Sequence, residues 1–274
     1  MSISKNHHYV PRVILKNFID SNKRYYYYDK DHPERGYQYR STRSTFCEPH
    51  LNTISNADSS IDISVEADFF QKRESKWGII LKKIKQDFPN FSRLSADEEA
   101  LLKDLTFRQF MRSIDRIQSS CSTEEIEDLY DTKVGQLHNF GLFHPKYYKS
   151  ETKQRIIKNG KINALAMDPL SEVSKYFDRT KIILARQKNT KKRFIIGSSP
   201  VVSLSSTYDK DCDVEMYLPI SEQAAIGIVS RKFRIQFLDL DDTEIRKINL
   251  CICNASSKIA SAHKTLIQSL INNR

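Results

Sequence analysis

The sequence has few cysteines, and their spacing excludes the usual cysteine-based scaffolds. It contains 5 in 274 residues, an odd number without a CxxC pair, so neither a disulfide framework nor a structural zinc site is expected. Cys251 and Cys253 alternate along a segment of strand-like composition and would share one face, where they could both ligate a metal. Cys47 and His50 have a spacing that would also suit two metal ligands. Reduced, buried thiols of a cytosolic protein give the same pattern, and we adopt that interpretation.

Long apolar runs are also missing. No stretch approaches the roughly 18 uncharged apolar residues that a membrane helix needs, and residues 1–8 lack the basic start and apolar stretch of a signal peptide. With 39% apolar and 28% charged residues, the composition is typical of a globular protein. We therefore predict a cytoplasmic protein with no membrane partner, formed by a single domain over residues 1–274.

Positive charge is in excess, and it is clustered. There are 44 Lys and Arg residues against 34 Asp and Glu, a net charge of +10. One basic cluster, residues 146–161, contains two tyrosines, and another, residues 188–193, falls where a hairpin turn is expected. This mixture favours contact with phosphates and bases, so nucleic acid is the expected partner, although solvated loops have the same composition. The residues expected to bind are Lys153, Arg155, Lys158, Lys188, Lys191, Lys192 and Arg193.

The periodicity predicts an α+β fold in which a central helical region, residues 65–175, is flanked by β-containing segments, residues 1–64 and 176–274. Helices are predicted over residues 65–88, from a capping box at Ser95 to about Ser119, over 123–137, and over 255–271 at the end of the chain. Strands are predicted at Tyr25–Tyr28, Lys181–Arg186, Phe194–Gly197, Ala224–Val229 and Ile245–Cys253.

The segment from His7 to Pro11, His-His-Tyr-Val-Pro, is the most unusual in the chain. Pro11 fits the first position of a helix over residues 12–19. His7 and His8 would then precede a helix N-terminus, where backbone N–H groups attract anions. Two imidazoles there, with Arg12 beside them, can bind phosphate, transfer protons or ligate a metal. A histidine that only caps or packs is the alternative.

A stripe on the helix after Ser95 changes from apolar to polar without changing face, because Gln109 and Arg112 continue the spacing of two leucines. Glu66 and Glu74 lie on one face of the preceding helix. A buried arginine needs a carboxylate partner, so Arg112 is expected to pair with Glu66 or Glu74. The pair is either a structural link between helices, or Arg112 holds a phosphate while a glutamate binds metal or accepts a proton.

A predicted strand ends in the loop Gly197-Ser198-Ser199-Pro200. Its hydroxyls and backbone N–H groups suit a binding site, and Ser198 and Ser199 are expected to contribute to one, although a simple turn would have the same sequence. No G-x-S-x-G motif surrounds either serine, so a serine nucleophile is not supported.

These segments, in this order, resemble a bacterial family known as domain of unknown function 4238. The resemblance rests on the opening at His7, the paired Glu66 and Glu74, the Gln109-x-x-Arg112 helix, and the segment Leu218-Pro219-Ile220-Ser221. It spans nearly the whole chain. Where the family has an Asp-x-Pro or Asp-Asn-Pro loop, this chain has Ser198-Ser199-Pro200. If that aspartate is a metal ligand in the family, this chain is an altered or inactive member.

The leading hypothesis is a phosphodiester-cleaving enzyme, a nuclease acting on DNA or RNA, with phage defence as its expected setting. His7 or His8 would act as general base or metal ligand. Glu66 and Glu74 would bind Mg²⁺ or Mn²⁺ or share proton transfer, and no organic cofactor is expected. The opening also resembles that of HNH endonucleases, but their Asn and second His have no clear counterpart here.

Two alternatives stay open. One is a non-catalytic module that binds nucleic acid or a partner protein, or forms a homo-oligomer, in which the His, Glu and Arg residues organise the fold. The other is an enzyme acting on a nucleotide or similar small phosphate ligand, which would not need the basic loops. Salt-sensitive binding to long nucleic acid would separate this third hypothesis from the first two.

Overall fold

The computed structural model describes residues 6–56, 58, 60–113, 123–139, 149–166, 171–187, 192–204 and 214–272. It is a mixture of helices and strands in several sheets, so the predicted α+β class is confirmed. The division of the chain into a single domain with three sub-regions stays a prediction. One buried apolar cluster nevertheless contains residues from near both ends of the chain, from Tyr9 to Leu270.

The N-terminal segment is made of short strands. In chain order it contains β1 (Asn6–His8), α1 (Arg12–Leu15), β2 (Arg24–Asp29), a 3-10 turn (Pro33–Arg35), β3 (Gln38–Ser41), β4 (Cys47–Pro49), β5 (Ile54–Ser55) and β6 (Ile61–Asp62). The strand predicted at Tyr25–Tyr28 is confirmed. Tyr25 and Tyr27 are buried whereas Tyr26 and Tyr28 are half-buried, because successive side chains of a strand point to opposite faces.

The helical region follows. It consists of a π-helical stretch (Val65–Phe70) that continues into α2 (Gln71–Asp87), then α3 (Ala96–Met111), α4 (Thr123–Asn139), α5 (Ser150–Ala166) and α6 (Ser171–Arg179). The capping box is confirmed, since the Ser95 hydroxyl accepts the Glu98 N–H at 3.2 Å and the Glu98 carboxylate accepts the Ser95 N–H at 2.8 Å. Helix α3 ends at Met111, before the predicted Ser119, and residues 114–122 lie outside the described ranges.

The C-terminal segment is only partly as predicted. It contains β7 (Thr180–Gln187), β8 (Ile196–Gly197), β9 (Val214–Pro219), β10 (Ala224–Ser230), β11 (Phe237–Leu240), α7 (Asp242–Ala255), β12 (Lys258–Ser261) and α8 (Lys264–Asn272). The predicted strand Ile245–Cys253 is wrong, because a capping box between Asp241 and Glu244 starts α7 there. The closing helix over 255–271 is also wrong in its first half, which forms β12.

The strands associate into two larger sheets, one with the order β11-β7-β10-β9 and the other β3-β2-β12-β8. In the second sheet, β12 pairs antiparallel with β2 on one side and with β8 on the other. The N-terminal tyrosine strand and the strand that leads into the serine loop are therefore both neighbours of β12, although they are far apart in sequence. This arrangement brings the loop after β8 close to the end of α3.

Gly197 is required where β8 crosses the end of α7. A Cβ atom at Gly197 would collide with the Ser256 hydroxyl and lie 2.8 Å from Ile252 Cγ2. We expect Gly197→Ala to lower the free energy of unfolding by about 1–3 kcal/mol, because the buried neighbours must shift. Gly160→Ala on α5 is the matched control: nothing lies within 4 Å of its Cβ position, so stability should stay or rise by up to about 1 kcal/mol. Urea denaturation would measure both, and equal stabilities would contradict the assignment.

Candidate functional site

His7 and His8 lie on a strand and not in front of a long helix. Strand β1 pairs with β4, with His7 opposite Glu48 and His8 opposite Cys47. The helix predicted over residues 12–19 is only 4 residues long, Arg12–Leu15, with Pro11 as its N-cap. A helix of one turn has too few aligned peptide dipoles to attract an anion, so the expected contribution of a helix N-terminus is not available. The two imidazoles instead depend on side chains and carbonyls around the strand.

His7 is buried, and a hydrogen bond to the ring indicates which of its nitrogens carries a hydrogen. Its Nδ1 accepts the backbone N–H of Asn52 at 3.0 Å, so this nitrogen carries no hydrogen and the ring is neutral. Asn52 Nδ2 also donates to Glu66 Oε2 at 2.7 Å. Glu66 Oε2 lies 3.9 Å from His7 Nδ1, but an unprotonated nitrogen does not form an ion pair with a carboxylate. Asn52 therefore links His7 to Glu66.

In His8 the other ring nitrogen, Nε2, makes the hydrogen bond. Its Nε2 lies 2.8 Å from the Thr42 carbonyl oxygen, and because a carbonyl only accepts, Nε2 carries the hydrogen. In the neutral ring, Nδ1 then keeps its lone pair. Burial lowers the pKa of His8, and the positive charges of Arg12 and Arg112 lower it further, against the opposing effects of the Thr42 hydrogen bond and Glu66. A neutral imidazole with one fixed nitrogen is suited to accept a proton or to bind a metal.

Arg112 connects α3 to α2 and to β1. It donates to Glu74 Oε1 at 2.9 Å, so the ion pair expected from burial is found, with Glu74 as the partner. The same guanidinium donates to the His8 carbonyl oxygen, and its Cζ lies 4.0 Å from the centre of the Phe70 ring. Burial raises the pKa of Glu74, whereas the charge of Arg112 lowers it. Arg112 thus holds the backbone of the strand that carries both histidines.

Gln109 forms a hydrogen bond with the peptide group that follows the one bound by Arg112. Its Nε2 donates to the Tyr9 carbonyl oxygen at 3.1 Å, one residue after the carbonyl held by Arg112. Its Oε1 is buried and has no hydrogen-bond partner among the described residues, and the same is true of Asn52 Oδ1, Arg112 Nε and Arg12 Nε. Buried polar atoms in folded proteins are almost always paired, with protein groups or with ordered water, so these four atoms have capacity for further hydrogen bonds.

The serine loop lies next to this cluster but inside the protein. Ser198 and Ser199 are 0% and 1% exposed. Ser113, which follows Arg112, donates to the Ser198 carbonyl oxygen at 3.2 Å and contacts the Ser199 hydroxyl, while the Ser199 N–H donates to Ser256 Oγ at 3.0 Å. These groups join the end of α3 to β8 and α7. Their predicted binding role has no exposed surface through which to operate.

The predicted basic clusters are described only in part. Lys153 on α5 forms ion pairs with Glu127 at 3.2 Å and Asp131 at 2.9 Å on α4, so carboxylates already neutralise its charge. Arg155 and Lys158 are further along α5. Lys192 and Arg193 are half-buried at the start of the segment that leads to β8. Lys188 and Lys191 lie outside the described residues, as do residues 146–148 of the first cluster.

A basic cleft that the sequence did not predict lies beside His8. It has a volume of about 640 Å³, and one of its lining residues is Thr42, whose carbonyl holds the His8 ring. Its cationic lining residues are Arg12, Lys16, Lys23, Arg24 and Arg43. We call it the cationic cleft. Of these residues only Arg12 was predicted, because the others come from separate segments, at the end of α1, at the start of β2 and after β3. The sequence analysis also missed Asn52 and Thr42, which fix the tautomers of the two histidines, because both lie far from the histidines along the chain.

Metal ligands are not gathered at one point. Over the ranges that the structure describes, no group of three or more His, Cys, Asp or Glu side chains has a spacing suited to a metal ion. Glu66 and Glu74 are held by Asn52 and Arg112 respectively. Both carboxylates are largely buried, with 16% and 20% of their side chains exposed.

The family of the chain follows from a match over almost its full length. The family described as "Protein of unknown function (DUF4238)" matches residues 6–265. The chain belongs to this family. The match confirms the resemblance inferred from the His-His-Tyr-Val-Pro opening and the later motifs. No curated protein and no solved structure matched the chain. Among the helices of the DUF4238 fold described above, none is long and apolar enough to cross a membrane.

Proposed function

We propose that this DUF4238 chain is a phosphodiester-cleaving enzyme, a nuclease, in which His8 is the general base. The supporting observation is the state of the His8 ring: neutral, anchored through Nε2 to the Thr42 carbonyl, and adjacent to two arginines. A general base must be unprotonated at the working pH and held in one orientation. The lowered pKa of His8 meets the first condition, and the anchored Nε2 meets the second.

In the proposed reaction, His8 Nδ1 removes a proton from the attacking hydroxyl, which is either water or the ribose 2′-hydroxyl. The attacking oxygen forms a bond to phosphorus, and the bond between phosphorus and the leaving oxygen breaks, with that oxygen taking up a proton. Arg12 stabilises the negative charge that builds up on the phosphate oxygens. Gln109 and Arg112 act as positioning residues, because they hold the carbonyl groups of Tyr9 and His8.

A divalent cation, Mg²⁺ or Mn²⁺, is included in the proposal. Glu66 and Glu74 offer oxygen ligands, the type that both cations prefer, while His8 Nδ1 stays available for the proton. Bound there, the cation would lower the pKa of a water molecule and neutralise phosphate charge. To bind, it would have to displace the contacts that Asn52 and Arg112 now make with the two glutamates.

A second candidate function is a non-catalytic binding module. It is favoured by the burial of His7, Gln109 and Arg112, which are 1%, 1% and 2% exposed. These side chains would then organise the strand for binding, without chemistry. The two functions differ in whether the phosphodiester bond is broken.

The test is cleavage of labelled single- and double-stranded DNA and RNA by the purified chain, with Mg²⁺, with Mn²⁺ and with EDTA. We expect at least one substrate to be cut, with the activity following the protein peak through gel filtration. Cleavage in EDTA would remove the cation from the proposal and keep His8 as its centre. No cleavage of any substrate, together with salt-sensitive binding, would reject the enzyme and leave the binding module.

A further inference from the structure

The cationic cleft has more positive charge than a single phosphodiester group needs. Arg12, Lys16, Lys23, Arg24 and Arg43 contribute five positive charges to about 640 Å³, and no acidic residue lines the cleft. Within the described ranges, none of the five side chains has a carboxylate within salt-bridge distance. A surface normally intersperses charges of both signs, because like charges repel one another. A group of unpaired cations in a concave site therefore favours a ligand with several negative charges.

The Asp20 carboxylate interacts electrostatically with Arg24, but its oxygens are already used. Oδ1 accepts the backbone N–H groups of Asn22 at 2.9 Å and Arg24 at 3.2 Å, and Oδ2 accepts the Tyr39 hydroxyl. These bonds shape the turn before β2. Lys23 in this turn has a φ of 59°, a left-handed conformation that is uncommon for a residue with a side chain. Asp20 thus holds the turn and places Lys23 and Arg24 at the cleft.

A row of tyrosines continues from the cleft along β2 and β3. Tyr26 packs on Tyr39 with ring centres 5.1 Å apart, and Tyr28 packs on Tyr37 at 5.0 Å. All four rings are half-buried. Alternate residues of a strand share a face, so Arg24 of the cleft is on the same face as Tyr26 and Tyr28. We call Tyr26, Tyr28, Tyr37 and Tyr39 the tyrosine row.

Cations are present at both ends of the tyrosine row. The Arg24 guanidinium lies 5.6 Å from the centre of the Tyr39 ring, and the Lys264 ammonium lies 5.8 Å from that of Tyr37. The two tyrosine pairs are about 7 Å apart, since they are two residues apart along each strand. Such a step suits successive bases of an extended single strand. Cationic grooves with adjacent aromatic rings are the common solution for binding single-stranded nucleic acid.

We infer that the cationic cleft and the tyrosine row form one binding track for single-stranded nucleic acid, with phosphates in the cleft and bases on the tyrosines. The inference rests on the proposed function for the fate of the strand, because Thr42, whose carbonyl oxygen holds the His8 ring, lines the cleft. To the proposed function, the inference adds the class of substrate, single-stranded nucleic acid, and the surface along which the strand binds. A duplex keeps its bases stacked inside and offers none to the tyrosine row, so it should bind more weakly.

The expected binding has a defined salt dependence. If about four phosphates are neutralised, the logarithm of the association constant should fall with the logarithm of salt concentration with a slope of about −3. Each lost contact should weaken binding about 5-fold near 0.1 M salt. Fluorescence anisotropy with a labelled single-stranded oligonucleotide in EDTA would measure this, with a gel after each titration to check that the strand is intact.

The decisive variant is the triple substitution Lys16→Ala, Lys23→Ala and Arg43→Ala. These side chains are exposed, so the fold should be retained. We expect about 100-fold weaker binding and a salt slope about 2 units smaller. The matched control removes the same charge from three exposed residues elsewhere: Lys82→Ala, Arg234→Ala and Arg246→Ala. Similar affinities in the two triple variants would overturn the inference, because net charge alone would then account for binding.

The tyrosine row has its own control. Tyr28→Ala should weaken binding on the order of 10-fold through the loss of stacking, whereas Tyr28→Phe keeps the ring and should bind nearly as the wild type does. Tyr28 is chosen because it takes no part in the hydrogen bonds of the Asp20 turn. Equal binding by both variants would overturn the role of the row. Tighter binding of a duplex, or equal binding of a nucleoside triphosphate, would overturn the assignment to a single strand.

Binding and cleavage fail independently in this design. A wild-type chain that binds single strands through the track but cuts none of them would reject the proposed function and keep the track. A chain that cuts nucleic acid equally well with and without the three cleft cations would keep the proposed function and reject the track.

Discussion

His8→Ala is expected to slow phosphodiester cleavage by about 100- to 10,000-fold, the usual contribution of a general base. The loss should appear in kcat, with KM nearly unchanged, because the imidazole acts on the attacking hydroxyl and the cations of the cleft bind the phosphates. The Thr42 carbonyl that now holds His8 Nε2 would lose this partner. Steady-state kinetics on the preferred substrate would measure both constants.

His32→Ala is the matched control for this variant. His32 is another histidine of the N-terminal segment, but 48% of its side chain is exposed and it lies beside Glu34. We expect His32→Ala to retain wild-type activity and His8→Ala to retain the wild-type circular dichroism spectrum. Normal kcat in a folded His8→Ala protein would contradict the assignment of the base. A folded but inactive His32→Ala protein would show that the loss is not specific to His8.

The pH profile follows from the lowered pKa of His8. Because burial holds this pKa below its ordinary value of 6.5, the midpoint of the acid limb of the cleavage rate should lie below pH 6.5. The unfolded chain binds the proton more readily, so stability should fall as the pH drops from about 6.5 towards the folded pKa. Both effects should disappear in His8→Ala. A rate limb centred above pH 6.5 would contradict this assignment.

The sequence was informative where one physical signal dominated. The capping box at Ser95, the end of the predicted helix near residue 88 and the tyrosine run at residues 25–28 are local signals, and the structure agrees with each. Ile245–Cys253 was read as a strand because it is rich in isoleucine and cysteine. Its buried isoleucines at 245, 248 and 252 have helical spacing, and Asp241 with Glu244 forms a capping box. Periodicity and capping are both readable in the sequence and indicate the helix, whereas the prediction relied on composition.

The candidate site was predictable only as a set of residues. Burial of Arg112 required a carboxylate, and the helical spacing left Glu66 or Glu74 as the partner. The structure identifies Glu74. No local pattern indicated that Asn52 and Thr42 would fix the tautomers of His7 and His8, because both contacts depend on how loops return to β1. The cationic cleft was missed for the same reason.

Arg112→Leu is expected to lower the free energy of unfolding by about 3–5 kcal/mol, the usual cost of removing one partner from a buried ion pair. The substitution leaves the Glu74 carboxylate without its counter-charge and the His8 carbonyl without its donor. Arg246→Leu, on the exposed face of α7, is the matched control and should change stability by less than about 0.5 kcal/mol. Urea denaturation at pH 7 would give both values, and a small loss in Arg112→Leu would contradict the role of the pair.

A second substitution separates the charge of Glu74 from the packing of Arg112. In the double variant Arg112→Leu and Glu74→Leu, no unpaired carboxylate remains, so the loss should be smaller than the sum of the two single losses. The stability loss in Arg112→Leu should also depend on pH, because Glu74 can take up a proton. Burial already raises the pKa of Glu74, and without Arg112 only the weaker effect of the Arg12 charge opposes it. Protonation of Glu74 then removes the buried charge, so the loss in Arg112→Leu should shrink as the pH falls towards 4.5. In the double variant it should not, because the group that titrates is absent.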